Sequence, residues 1–363
     1  IPLLQRIDLE GDRDRPQALV ICPTRELGLQ VATDLERAGR LRGVRVLAVY
    51  GGRAYEPQID ALKNGVDVVV GTPGRIIDLA NRRDLDLSQV KILVLDEADE
   101  MLDMGFLPDV ERIVSQVSTV RQTMLFSATM PGQIVNLARR YMTQPMHIRA
   151  SEPDDESATV DAIEQHVWRA HPMDKIELVA RILQADGRKL VMIFTRTKRK
   201  AQRICDDLTE RGFAVGTVHG DLGQGAREQA LRAFRNGKVD VLVATDVAAR
   251  GIDVDDVTHV INFECPDDEK TYLHRVGRTG RAGASGVAVT LVDWEDIARW
   301  QMIDRALKLP FKDPIETYSS SDHVYTGLGI PAGTTGTLPK AHRTREGLGA
   351  EGVEDLGETG KKK

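Results

Sequence analysis

The chain has 363 residues, 41% hydrophobic and 29% charged, enough for about two domains with their own cores. Its net charge of −6 excludes gripping nucleic acid by bulk positive charge, and no apolar stretch approaches the length that crosses a membrane. Cys22, Cys205 and Cys265 form no CxxC pair and the eight histidines no HxxxH pair, which argues against zinc or a disulfide framework and for a reducing, cytoplasmic setting.

In chain order, Ile1-Pro2-Leu3-Leu4 has the look of a helix end. Residues 18–22 predict a strand, followed by Pro23-Thr24-Arg25-Glu26 and an amphipathic helix through Leu27, Val31 and Leu35 that ends near Gly39. Residues 44–50 predict a second strand, closed by Gly51-Gly52, and residues 66–70 a third, followed by Thr72-Pro73-Gly74-Arg75 and another helix. Next, Ile92–Leu95 is an apolar run that ends in three carboxylates, Asp96, Glu97 and Asp99. A run without polar alternation predicts a strand buried on both faces. Acids at the carboxyl end of such a strand lie where open α/β sheets bind ligands. One carboxylate there suits Mg2+ held through water, and its neighbour suits activation of an attacking water. Taken alone, the same four residues fit a solvated acidic turn equally well. A helix through Val110 and Val114 precedes residues 124–126, which run into Ser127-Ala128-Thr129.

Strands alternating with helices at this spacing predict a parallel sheet with helices on both faces. The polar break SEPDDES at 151–157 reads as a linker, and after it the pattern begins again. Arg25 recurs as Arg196, Gly51 as Gly220 and Thr72 as Thr245, at offsets of 171, 169 and 173. Three matches in order point to a duplicated α/β domain. The second copy closes with a strand over Gly286–Val292 and a helix through Trp294, Ile297, Trp300 and Ile303. This divides the chain into a first domain at 1–150, a linker at 151–159, a second domain at 160–310 and a tail at 311–363. The tail is rich in Gly, Ser, Thr and charge, ends in three lysines and is expected to be disordered.

With these motifs in order, the sequence resembles the DEAD-box ATP-dependent RNA helicases of superfamily 2, over roughly residues 1–309. PTRELGLQV at 23–31, Gly51-Gly52 and Thr72-Pro73-Gly74-Arg75 match the family's first RNA-contact motifs, with Gly28 where alanine is usual. Asp96-Glu97-Ala98-Asp99 and Ser127-Ala128-Thr129 match its motifs II and III. IFTRT at 193–197, Gln224 with Arg227, ATDVAARGID at 244–253 and HRVGRTGR at 274–281 match those of the second domain. The resemblance implies two tandem RecA-like domains with parallel sheets, ATP-Mg2+ between them and RNA across both. It implies that Asp96 holds Mg2+ through water and that Glu97 activates water. Arg278 and Arg281 become arginine fingers on the γ-phosphate, and Asp253 a contact to the ribose. Arg25, Gly52, Thr72, Arg75, Arg227 and Thr245 become RNA contacts, while Asp99, Ser127, Thr129 and His274 couple hydrolysis to strand separation. Arg275, Arg278 and Arg281 recur every third residue between glycines, so a tight turn or helix start can present several on one side. With aromatics at 4%, base stacking has little material, so RNA contact falls to local arginines and helix N-terminal amides, which are blind to sequence.

The sequence departs from the family in one respect. No GxxxxGKS/T loop occurs, and the two Gly-Lys pairs, Gly237-Lys238 and Gly360-Lys361, lack a surrounding loop. The first domain is therefore expected to lack its N-terminal strand and P-loop, and ATP hydrolysis is conditional on such a loop upstream of Ile1. The expectation is a monomeric RNA-dependent ATPase and helicase without membrane attachment. The alternatives are a non-catalytic RNA-binding module and a DNA-directed relative.

Overall fold

Short runs of Val, Ile and Leu that lack polar alternation become the inner strands of two parallel sheets. The structure is a computed structural model that describes residues 1–11, 13–148, 163–249, 251, 252, 254, 256–280 and 285–339. It divides into two units, the first Ile1–Glu152 together with Arg250–Asp253 and the second Pro153–Ala249 together with Val254–Lys363.

The first unit opens with helix α1 (Pro2–Gln5), the expected helix end. Strands β1 (Ala18–Ile21), β2 (Val46–Val49), β3 (Val68–Gly71), β4 (Ile92–Leu95) and β5 (Gln122–Leu125) form a sheet in the order β2-β3-β1-β4-β5, every described pair parallel. The three inner strands β1, β3 and β4 are buried throughout, whereas β2 and β5 are half-exposed edges. Helices α2 (Arg25–Gly39), α3 (Glu56–Lys63), α4 (Pro73–Asn81), α5 (Ala98–Asp103) and α6 (Leu107–Val114) supply the crossovers that parallel strands require, and α7 (Gly132–Tyr141) follows the last strand. Alternate strand residues enter two different cores. Leu19, Ile21, Val69, Leu93 and Leu95 pack with Ile76, Val110 and Ile134, while Ala18, Val20, Val68, Val70 and Val94 pack with Leu3, Leu4 and Ala32. The buried Asp67 before β3 is held by Arg13 and Arg45. The helix predicted through Val110 and Val114 is preceded by a separate short helix, α5, that begins inside the acidic motif.

The second unit repeats this order and extends it. Strands β6 (Ile163–Ala170), β7 (Leu190–Thr195), β8 (Val215–Val218), β9 (Val241–Thr245), β10 (Val257–Asn262), β11 (Gly286–Val292) and β12 (Ile315–Thr317) lie in the order β12-β6-β11-β10-β7-β9-β8, again with every described pair parallel. The segment β8-β9-β7-β10-β11 is the counterpart of β2-β3-β1-β4-β5, so the duplication legible in sequence is one of topology. Its helices are α8 (Lys175–Ile182), α9 (Lys198–Glu210), α10 (Gln224–Arg235), α11 (Asp246–Ala249), α12 (Glu269–Val276), α13 (Ile297–Leu307) and α14 (Asp322–Leu328). Trp294 lies in a 3-10 turn ahead of α13 and is half-exposed, rather than inside one continuous helix.

The disordered tail expected from 311 onward is corrected over residues 311–339. Here β12 pairs with β6, and Val324, Leu328 and Ile330 join the core beside Leu178, Ile182 and Trp168. Backbone groups do much of the fastening. Glu177 accepts from the Gly336 N–H at 2.9 Å, Arg211 donates to the Gly336 carbonyl at 2.7 Å, and Asp174 accepts from the Ser319 N–H at 2.6 Å. Polar anchoring of this kind leaves little trace in composition, so low apolar content was a poor guide. The expected linker and residues 340–363 lie outside the described residues.

Candidate functional site

Because all strands of the first sheet run parallel, their carboxyl ends share one edge, and the chain leaves that edge at five loops. In sheet order they are Gly51-Gly52 after β2, Thr72 after β3, Arg25 after β1, Asp96-Glu97 after β4 and Ser127 after β5. The chain steps from β1 to one side for β2 and β3 and to the other side for β4 and β5. The edge therefore has a switch point between β1 and β4, where open α/β sheets bind ligands.

On the β4–β5 side, the Asp96 N–H donates to the Ile21 carbonyl at 3.0 Å, which carries the ladder one residue past the strand. Burial pushes the Asp96 carboxyl up from the usual carboxylate range, against the pull of a hydrogen bond from the Glu97 N–H at 3.1 Å. Among the described residues no cationic side chain neutralises it. A desolvated oxygen donor without a counter-charge suits a hard divalent cation. Glu97 adopts a left-handed backbone conformation, φ 49° and ψ 54°, which costs a side-chain-bearing residue about 1 kcal/mol or more. Strain retained at the turn between strand and helix fixes where its carboxylate starts. Beneath the pair lies Cys22, whose thiol is pushed up by burial and then by the Asp96 and Glu97 carboxylates, so it stays protonated and inert.

Asp99 is 1% exposed and ties this motif to the β5 loop. Its carboxylate accepts from the Thr129 N–H at 3.0 Å and the Thr129 hydroxyl at 2.8 Å, while its own N–H donates to Ser127 Oγ at 3.1 Å. The Ser127 hydroxyl donates onward to the Thr129 carbonyl at 2.7 Å. Bonds to an ionised acceptor are about twice as strong as neutral ones, so the two motifs move as one body.

On the β2-β3-β1 side, Thr24 caps α2 by accepting from the Leu27 N–H, and this places Arg25 at the first helical position. Thr72 also occupies an N-cap position, on α4, but makes no side-chain capping bond. Arg25 packs against Gly52: a Cβ there would meet Arg25 Nη1 at 2.5 Å, and φ of +79° already favours glycine. Arg75 is turned inward at 7% exposure. It donates from Nη2 to the Arg53 carbonyl at 3.0 Å, its guanidinium carbon lies 4.0 Å from the Tyr55 ring centroid, and Nη1 has no acceptor. Arg25, Gly52 and Arg75 thus converge on one loop.

In the second unit, Thr245 ends β9 and is buried, and Asp246 opens α11 directly after it. Arg227 on α10 donates to the Ala248 carbonyl at 2.9 Å and so braces α11. The expectation that Arg275 is presented with its neighbours is corrected. Arg275 is 1% exposed, grips Asp246 with Nε and Nη2 at 2.6 and 2.7 Å, and reaches the Glu264 carbonyl at 2.9 Å. Helix α12 ends at Val276, so Arg275 lies inside it and Arg278 beyond it, and it is the pull of Asp246 that turns Arg275 inward. Arg278 is half-buried, with its N–H on the Arg275 carbonyl, and His274 lies in the last turn of α12. Arg281 and Asp253 lie outside the described residues.

Sequence reasoning passed over Asp246, Glu264 and Tyr55. Glu264 accepts from the Thr195 hydroxyl and from the Arg196 N–H, and Arg196 forms a fork on Asp296 at 3.0 and 3.2 Å. The signal for Glu264 was an acid one residue past an apolar run, the same cue as at Asp96.

Comparison with known proteins agrees with this geometry. Residues 1–137 match the DEAD/DEAH box helicase family and residues 174–283 the helicase conserved C-terminal domain. The DEAD-box ATP-dependent RNA helicase CshA of Geobacillus kaustophilus is 46% identical over 308 residues, 85% of this chain and 65% of its own length. The chain spans 58% of the Listeria monocytogenes relative, so it covers less than two thirds of these curated proteins. Among solved structures, a DEAD box protein from Methanococcus jannaschii is 39% identical, with 87% of this chain and 83% of that one covered and a TM-score of 0.50. Dbp5 of S. cerevisiae bound to RNA and ADP BeF3 is 29% identical, with 90% and 83% covered and a TM-score of 0.76.

Proposed function

Since the chain belongs to the DEAD-box helicase family, with two tandem RecA-like α/β domains, we propose that it acts in ATP hydrolysis stimulated by RNA and coupled to local duplex separation or remodelling of RNA–protein complexes. The observation that carries this reading is the split edge of the first sheet. A desolvated carboxylate, Asp96, follows β4 with Glu97 beside it, and Arg25, Gly52 and Thr72 follow the strands on the other side of the switch point.

In this reading Asp96 would hold Mg2+ through water, and the bound cation would supply neutralisation of phosphate charge. Glu97, fixed by its backbone turn, orients the attacking water and takes its proton. Asp99 passes the state of this centre to Ser127 and Thr129 through the bonds that join them. Arg278 and Arg281 stabilise charge developing on the γ-phosphate, Asp253 contacts the ribose, and His274 positions the second unit for this work. Arg25, Gly52, Thr72, Arg75, Arg227 and Thr245 form the RNA-binding set. Contacts of this kind fall on phosphate and sugar, so RNA is bound largely without regard to sequence. Turnover is proposed on the condition that a phosphate-cradling loop precedes Ile1, since none lies within these residues.

No helix among the described residues is long and apolar enough to cross a membrane. A monomer working in the cytoplasm is the corresponding form, supported by three buried, unpaired cysteines. The experiment is ATP hydrolysis by the protein with added single-stranded RNA, single-stranded DNA or neither. Stimulation by RNA alone is expected. Stimulation by DNA points to the DNA-directed alternative, and RNA binding without hydrolysis points to a non-catalytic module.

A further inference from the structure

Tyr55 stands at the start of α3 in the first unit, at the end of the loop that carries Gly51-Gly52, and nothing in the motif pattern singles it out. Its ring is met by two guanidinium groups of one helix. The carbon of Arg75, in the first turn of α4, lies 4.0 Å from the ring centroid, and that of Arg82, at the end of α4, lies 4.5 Å away. The Tyr55 hydroxyl also donates to Asp78 on the same helix. Three side chains of α4 therefore converge on one aromatic residue of the preceding element.

The consequence lies in what Arg75 holds. Arg75 has given up most of its hydration, donates through Nη2 to the Arg53 carbonyl and leaves Nη1 without an acceptor. A buried guanidinium with one carbonyl bond is under-compensated unless the ring face supplies the rest. If the ring is removed, Arg75 regains water only by turning outward, and it then releases the Arg53 carbonyl. That carbonyl belongs to the loop against which Arg25 packs at Gly52, where no larger residue fits.

We propose that Tyr55 is a positioning residue for RNA binding, acting through Arg75 on the backbone of the Gly51-Gly52-Arg53 loop. The proposal rests on the RNA-binding reading of that loop given above. It assigns to Tyr55 no contact with RNA. The ring acts by keeping a charged side chain folded inward, so that the loop is preformed when RNA arrives and less ordering remains to oppose binding.

The test is a double-mutant cycle with two readouts on the protein loaded with a non-hydrolysable ATP analogue. The first is affinity for a labelled single-stranded oligouridylate. Tyr55→Leu is expected to weaken it by about fivefold to tenfold, Tyr55→Phe to stay within about twofold, and Tyr55→Leu to add nothing further in an Arg75→Met background. The second readout is amide hydrogen exchange across residues 51–54 without RNA, expected to quicken in Tyr55→Leu and to be restored in Tyr55→Phe. Losses that add in the cycle, or a Tyr55→Leu variant that melts earlier yet binds RNA as the parent does, overturn the proposal. In that case the ring only fastens α3 to α4. If the parent protein binds no RNA, the RNA reading fails. The exchange measurement then still decides whether Tyr55 orders the loop, and unchanged exchange overturns the inference by itself.

Discussion

The two units share a strand order but treat the acid that follows one pair of equivalent strands, β4 and β10, in opposite ways. At the end of β4 in the first unit, Asp96 is pushed up by burial and meets no cationic side chain among the described residues. At the end of β10, its topological counterpart in the second unit, burial also pushes Glu264 up. There, bonds from the Thr195 hydroxyl and the Arg196 backbone, together with the Arg196 charge, win and hold it below its usual range. The pattern extends around the second unit: Asp246 is gripped by Arg275, Asp296 by Arg196 and Arg299, and Asp293 by the buried Lys175. One copy of the fold thus leaves a negative centre short of positive charge, and the other has spent its acids on holding arginines and a lysine in place. Duplication supplied the frame twice, and side-chain pairing decided which copy keeps a carboxylate at this strand end without a cationic partner among the described residues.

Four changes, the third a pair of substitutions, break or sharpen this contrast. Glu97→Gln keeps the shape of the first unit and removes its base, so RNA-stimulated hydrolysis is expected to fall by at least about a hundredfold. Arg275→Met breaks an ion pair of the second unit whose arginine is buried, and urea unfolding is expected to show a loss of about 3 to 5 kcal/mol because Asp246 is left beside an apolar side chain. The third change is made in both units. Asp96 has a raised folded-state pKa, so its anion opposes folding above the unfolded value near 4. Asp96→Asn is therefore expected to stabilise the first unit at neutral pH by about 1 kcal/mol while abolishing turnover. Glu264 has a lowered folded-state pKa, so its contribution is present above the unfolded value and lost as pH falls through the folded one. Glu264→Gln is expected to destabilise the second unit at neutral pH by about 1 to 3 kcal/mol, with the difference vanishing in acid. Thermal melts at neutral and acid pH check both signs. Leu328→Ala is expected to cost about 2 kcal/mol by urea unfolding, which checks that residues beyond 310 belong to the core.

Much of this was legible in the sequence because apolar runs and repeated words are direct records of topology. The runs at 18–22 and 92–95 became β1 and β4, and the three recurring segments became equivalent positions on two sheets. The acidic pair was legible only together with the motifs around it, since alone it fits a solvated acidic turn equally well. The direction each arginine faces was less legible. Spacing by three suggested that Arg275 stands with Arg278, but the pull of Asp246 buries it, and the helix ends before Arg278. Spacing likewise gave no sign that Arg75 lies against Tyr55, because that contact joins separate elements. The ordered stretch beyond Pro310 escaped for a related reason: Gly336 and Ser319 are held through backbone atoms, which composition does not report.

The most direct measurement is Glu97→Gln assayed twice on one preparation, once for ATP hydrolysis with saturating RNA and once for RNA retention with ATP and Mg2+. The account predicts that hydrolysis is lost and that ATP-dependent RNA retention matches or exceeds that of the parent. Hydrolysis at the parental rate would contradict it, because the carboxylate at the end of β4 would then have no part in activating water.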